Sequence, residues 1–378
     1  MSSAVTKPLP TTPLRRIDLN IKPYMVSDDK IASWQIINTA IPLILCCVAI
    51  VKTTEQLNVL SLILTPGLFA LIILFLSRSF SLMHDCGHHS LFKSKTANRS
   101  AAFLLSIFHA MPHHPWSRGH AFHHKHNGNW NRYRGPSALT TRREFEKKGK
   151  NSQFLYQALR HPLTLFPGGF YYLVIKPRVA LLLGFVELIT NGTIDGFRKI
   201  SSRKLFNPFI FINNHKSSFF YTKEEVYDTL ANTLCISLAW WWIGSAIGYW
   251  HFWILYTLIM STSAAIMIAV FFVQHNFPGS YASDEDHWSY FKGAIDGSSF
   301  LIMPPVLNWF TADIAYHHVH HLSERIPNYR LRHCHEDRQN NFDGVKRLRL
   351  DQLWDCFSLI LWDNETLQLV STKQSFKH

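Results

Sequence analysis

A chain of 378 residues is long enough for one large or two ordinary domains. Its 47% hydrophobic and 14% aromatic content is gathered into long unbroken blocks, which excludes an ordinary soluble domain and points to a membrane protein. The formal net charge of +13 does not read as nucleic-acid binding, because 21 of the 38 Lys and Arg crowd into the single segment from Lys93 to Lys223, between apolar blocks.

In chain order, the start "MSSAVTKPLPTTPLRRIDLNIKPY" carries prolines and charges where a signal peptide needs an apolar core, and it lacks a small-residue cleavage site. It is expected to be a polar cytoplasmic arm over residues 1–30. Trp34 to Val51, Leu57 to Phe75, Leu230 to Trp250 and Phe252 to Val273 contain no charged residue. Each is close to the roughly 20 residues that span a hydrocarbon core, so transmembrane helices are expected at about 34–51, 57–83, 228–250 and 252–273. The short connections "KTTEQ" and "GYWH" hold one lysine between them, whereas the long 84–226 segment is strongly basic. That asymmetry is the positive-inside pattern, and it places both termini and the 84–226 segment in the cytoplasm. The expected architecture is an all-α integral membrane protein with four transmembrane helices in two hairpins. A cytoplasmic helical cap, residues 84–226 and 275–340, would hold a histidine-rich di-metal site, and residues 341–378 would form a cytoplasmic tail. Basic residues near the bilayer would also draw anionic lipid headgroups. The six cysteines show no CxxC pairing, so neither a disulfide framework nor an iron–sulfur cluster is indicated. The charged stretch "TRREFEKKGKN", 141–151, reads as a solvated face.

The histidines carry the chemistry. There are 22, and most fall into clusters at the edges of the apolar blocks. "FSLMHDCGHHSLF", 80–92, ends the second block. Read as one helix, residues 57–89 would be about 50 Å long against a hydrocarbon core of about 30 Å, so the end would protrude. His84 and His88, spaced i and i+4, would then share a face, with His89 turned about 100° away. In "HAFHH" the spacing i, i+3, i+4 puts His120, His123 and His124 on one helical face, and "HHVHH" repeats it with His317, His320 and His321. Such convergence of neutral imidazoles is the usual sign of a metal; a pH-sensing or merely polar interfacial cluster is the rival. Eight or more histidines exceed what one zinc accepts, so two metals are implied. No HExxH and no pair of Glu-x-x-His helices is present, which leaves an all-nitrogen pair of irons as the best fit. His113, His114 and His126 are expected on the surface. His275 falls at the cytoplasmic end of the fourth block, where it could complete one iron's coordination or simply anchor the helix beside Gln274 and Asn276. "FPGG", 166–169, differs from the HPGG of fused cytochrome b5 domains in having Phe166 for the histidine, and "HPLTLFPGGFYYLVI" reads as an amphipathic segment in the interface.

His84 with His88, His120 with His123 and His124, and His317 with His320 and His321 resemble the three histidine boxes, HxxxH, HxxHH and HxxHH, of the membrane fatty acid desaturase family. The resemblance runs from about the second span to about residue 340, within a desaturase domain expected over 31–340. "DGSSFLIMPPVLNWFTADIAYHHVHHLSERIPNYRL" and "VQHNF" are similar to bacterial desaturases that act on phospholipid acyl chains. What the resemblance implies is an O2-dependent enzyme with two Fe ions, non-heme, introducing a cis double bond into acyl chains at the cytoplasmic side of a bacterial inner membrane. Electrons would come from an external donor, ferredoxin or cytochrome b5, and the basic 93–223 surface would suit an acidic one. The metal ligands would be the eight box histidines and His275. The acyl chain would need an apolar tunnel, lined by the second and fourth spans and the 163–190 region. A hydroxylase or ketolase of the same superfamily is the nearest alternative; a non-catalytic histidine-rich carrier would require polar residues along its spans.

Overall fold

The computed structural model describes residues 19–55, 58–135 and 137–373. The principal helices, in chain order, are α1 (Asp29–Glu55), α2 (Val59–Gly87), α3 (Lys95–His109), α4 (His113–His126), α5 (Leu165–Phe170), α6 (Lys176–Ser201), α7 (Lys223–Ile247), α8 (Tyr249–Val273), α9 (His317–Leu322) and α10 (Asn328–Asp337). Five short strands accompany them: β1 (Thr140–Thr141), β2 (Phe300–Ile302), β3 (Arg347–Arg349), β4 (Leu359–Asp363) and β5 (Gln368–Ser371). Among the described residues, α1, α2, α7 and α8 are long and apolar enough to cross a membrane, as the charge-free runs require. α2 and α7 overshoot their charge-free runs at the cap end, α2 furthest, from Phe75 to Gly87, and Asn58 and Thr222 cap the starts of these two helices.

α2 carries the logic of the fold. Asn58 opens it with a capping box, its side chain accepting from Ser61 N at 2.9 Å while Ser61 Oγ accepts from Asn58 N at 2.9 Å. The first turns expose Val59, Leu60, Leu62 and Ile63, an apolar face fit for lipid. From Phe75 to Cys86, by contrast, every residue is buried, polar ones included. A helix buried all round is sheathed by protein, so the second half of α2 runs into the cap. At ~1.5 Å per residue the helix is roughly 43 Å long, beyond the ~30 Å of a hydrocarbon core. It ends two residues earlier than the sequence indicates. Ser90 N bonds Asp85 O and His89 N bonds Cys86 O, both at 3.0 Å, the paired closure of a Schellman motif, with His89 in the left-handed region at φ 55°.

α1 begins, α2 ends, α7 begins and α8 ends at the same end of the bundle, where the cap sits. Lys93 N donates to Asp29 Oδ1 at 2.9 Å, Arg118 pairs with Glu225, and His114 N donates to Asp228 Oδ2 at 2.9 Å. At the opposite end, the α7–α8 hairpin turns at Gly248 with φ 87°, and His251 Nε2 lies 2.7 Å from Thr54 Oγ1 of α1.

Both ends of the described chain are more integrated than composition indicates. Leu19 and Ile21, 1% and 3% exposed, pack with Tyr316, Val319 and Leu331, so the described part of the N-terminal segment belongs to the cap core and is no loose polar arm. The expected C-terminal tail is folded too. β3 pairs parallel with β2, β4 lies between β1 and β5, and Trp362 stacks on Trp130 at 5.2 Å. Buried Leu348, Ile360, Leu361 and Trp362 explain this: alternation in so short a strand is a weak signal in sequence.

Candidate metal centre

Nine imidazoles converge in the cap in two groups. His84, His88, His120, His124 and His320 form one, and His123, His275, His317 and His321 form the other, with the ring nitrogens of each group within 4.8 Å of one another. The Nε2 atoms face inward: His84–His120 2.8 Å, His120–His124 2.9 Å and His124–His320 3.0 Å in the first group; His123–His275 3.1 Å, His275–His317 2.9 Å and His317–His321 3.2 Å in the second. The sequence reading treats each HxxHH as one three-pronged face, and the structure corrects it: each box is shared between the groups. At about 100° per residue, positions i and i+4 differ by about 40°, whereas i+3 falls about 60° to the other side of i. On α4 the pair His120 and His124 enters the five-membered group and His123 the other; on α9 the pair His317 and His321 enters the four-membered group and His320 the first.

The residues fit a bound metal. Burial pushes His120, His123, His124, His317, His320 and His321 well below the ordinary imidazole range, and His275 down to about 4, so these rings are neutral at neutral pH, the form that ligates. Three of the nine rings have an acceptor at Nδ1: Asp85 Oδ1 at 3.1 Å from His84, Glu324 Oε2 at 3.2 Å from His88 and Gly297 O at 2.9 Å from His275. An acceptor there keeps the proton on Nδ1 and leaves the Nε2 lone pair aimed inward. His88 Nε2 is buried with no hydrogen-bond partner, which is costly unless a cation takes its lone pair.

A cavity of about 380 Å³ adjoins both groups. His120 of the first and His123 and His275 of the second form part of its wall. The rest is apolar: Phe80 from α2, Met267, Ile268 and Phe271 from α8, Met111 just before α4 and Trp116 on it, and Leu173 with Tyr172 after α5. These include the three regions expected to line a tunnel. Gly169 makes the third approach possible, since a Cβ there would stand 2.6 Å from Ala264 Cβ on α8. Trp116 stacks on His120 with centroids 4.8 Å apart, and Tyr133 lies 4.9 Å from His123.

The remaining histidines divide. His89 is exposed and outside both groups. His113 is a correction to the surface expectation: it is 5% exposed, with Nδ1 2.8 Å from Asp228 Oδ1, because α4 packs this face on α7. His114 and His126 are partly exposed, as expected, and outside both groups. His318, within the third box, turns away to pair with His335 at 2.9 Å. Asp85 and Glu324 were missed by sequence reasoning. An acidic residue next to a box histidine was the available signal for the first, and nothing in the chain order points from Glu324 to His88.

Four membrane-length helices and a cap with two imidazole groups opening on an apolar cavity define an integral membrane protein with paired histidine clusters able to hold metal. The family model for fatty acid desaturases matches residues 60–349, and the chain belongs to that family, an oxidoreductase that desaturates fatty acyl chains. It is 31% identical over 323 residues to a fatty acid desaturase of Bacillus subtilis, covering 84% of this chain and 80% of that one. It is 23% identical over 300 residues to the sn-1 oleoyl-lipid 12-desaturase of Anabaena variabilis, covering 79% and 75% of the two chains. It is also 22% identical over 290 residues to the sn-1 acyl-lipid omega-3 desaturase (ferredoxin) of Synechocystis, covering 75% and 69%.

Proposed function

We propose that this desaturase introduces a cis double bond into acyl chains of membrane lipids at two irons. His84, His88, His120, His124 and His320 would hold one, and His123, His275, His317 and His321 the other. The observation that carries this reading is the pair of inward-facing imidazole groups set against one apolar cavity. Iron bound there would supply the O2-derived oxidant that an unactivated methylene demands and that no side chain can provide. The chain's own residues do the rest. Phe80, Met267 and Phe271 hold an acyl chain by apolar contact and keep water out, and the stretch that passes His120, His123 and His275 is the stretch to be desaturated. Trp116 fixes the His120 ring by stacking. Ferredoxin or cytochrome b5 would deliver electrons from outside, and an acyl-lipid substrate is favoured by the names of the cyanobacterial relatives. The Lys and Arg distribution supports a cytoplasmic cap.

The test is elemental analysis of the purified protein beside gas chromatography–mass spectrometry of double-bond adducts from expressing cells. Two irons per chain and new cis-unsaturated lipid acyl chains are expected. Stoichiometric zinc with activity retained, or hydroxylated products in place of alkenes, would overturn the reading.

A further inference from the structure

The geometry points to Asp85 and Glu324 as positioning residues that make the five-histidine group the tighter of the two metal positions. This rests on reading the two histidine groups as metal positions. Asp85 is 1% exposed, and both of its oxygens are committed. Oδ1 is 3.1 Å from His84 Nδ1, while Oδ2 accepts from Asn328 N at 2.7 Å and Asn328 Nδ2 at 3.0 Å. Asn328 Oδ1 in turn accepts from Gln35 Nε2 of α1 at 2.7 Å. A buried carboxylate is costly unless hydrogen-bonded, and here α1, α2 and α10 together meet that cost and fix the His84 ring. His88 has a different need. It is the C-cap of α2, its N–H still bonded back to His84 O at 3.2 Å but with no helical turn beyond it to pack its ring, and Glu324, just beyond α9, meets its Nδ1 at 3.2 Å.

Among the described residues, the four-histidine group has no equivalent at its ring nitrogens. His275 Nδ1 faces a neutral carbonyl oxygen, and Nδ1 of His123, His317 and His321 is buried without a hydrogen-bond partner. A carboxylate on Nδ1 makes the imidazole a more basic ligand and adds fixed negative charge beside the cation; removing such a partner costs about 10–100-fold in metal affinity or activity. The two positions should therefore fill in order, the five-histidine one first.

The experiment is an anaerobic Co²⁺ titration of the metal-stripped full-length protein, followed by visible absorption and equilibrium dialysis. Wild type should bind two equivalents in two resolved steps, with His320→Ala removing the tighter step and His321→Ala the weaker. Glu324→Gln, at a part-exposed side chain, and Asp85→Asn should each weaken the tighter step by about 10–100-fold and leave the weaker unchanged. Thermal melting of the metal-free Glu324→Gln protein should match wild type, which separates ligand positioning from a general loss of structure. Two equivalents bound with unaltered affinities in both carboxylate variants would sink this proposal and spare the two-metal reading; fewer than two equivalents in wild type would sink the reading itself.

Discussion

His88 sits one residue past α2 with its ring directed into the five-membered group, whereas His89 adopts a left-handed backbone and faces outward. Changing His88 to Ala should abolish desaturation and lower bound iron, while His89→Ala should retain part of the activity. Equal loss of product and iron in both would contradict the geometry. His275 is predicted to ligate from outside the three boxes. His275→Ala should lose iron and product together, with His251→Ala, at the far end of the bundle, as an unaffected control; normal iron and turnover would reduce His275 to an anchor. The buried rings also set a pH dependence for the metal-free protein. The folded pKa of His275 is about 4 against an ordinary 6.5, so between those values the unfolded chain binds more protons and stability rises with pH. Melting temperature of the stripped protein should fall as pH drops from 6.5 toward 4, and a flat profile over that window would show that these rings are not buried neutral.

α4 and α9 are short helices placed so that one periodicity serves both imidazole groups, the i, i+4 pair feeding one group and the i+3 ring the other. α5 illustrates a tighter constraint. Because Gly169 abuts Ala264 on α8, Gly169→Leu should force the segment off α8 and cost about 1–3 kcal/mol of stability, by the usual penalty for overpacking. Adding Ala264→Gly to the milder Gly169→Ala variant should recover part of its loss, measured by thermal melting in detergent. No recovery would mean that the α5–α8 contact does not limit the packing.

The bundle and cap have a polarity. Four spanning helices bring both ends of the described chain to the cap side, and the basic 93–223 segment enters and leaves it there. The stretch around Arg142, a short helix (Arg142–Glu146) followed by exposed residues 147–150, should be cut by protease added to inside-out vesicles and protected in intact spheroplasts. Cleavage from the outer side alone would reverse the assigned orientation.

Much of this protein is local and therefore legible. A charge-free run of bilayer length has few alternatives to a spanning helix, and His84/His88, His120/His123/His124 and His317/His320/His321 announce helical faces by spacing alone. His275 was within reach because its span ends level with the box that precedes the cap. The division of each HxxHH between two groups was not, since spacing gives angles around one helix and says nothing of which neighbour occupies each side. Nor were the contacts that join distant parts of the chain, such as Asp85 to Asn328, 243 residues apart, Glu324 to His88, His113 to Asp228, or Leu19 under Val319. Those depend on how α1, α4, α7 and α10 pack around the buried end of α2, and burial of that kind is decided by the whole fold, because it takes several elements at once to remove a charged or polar side chain from water and still satisfy it.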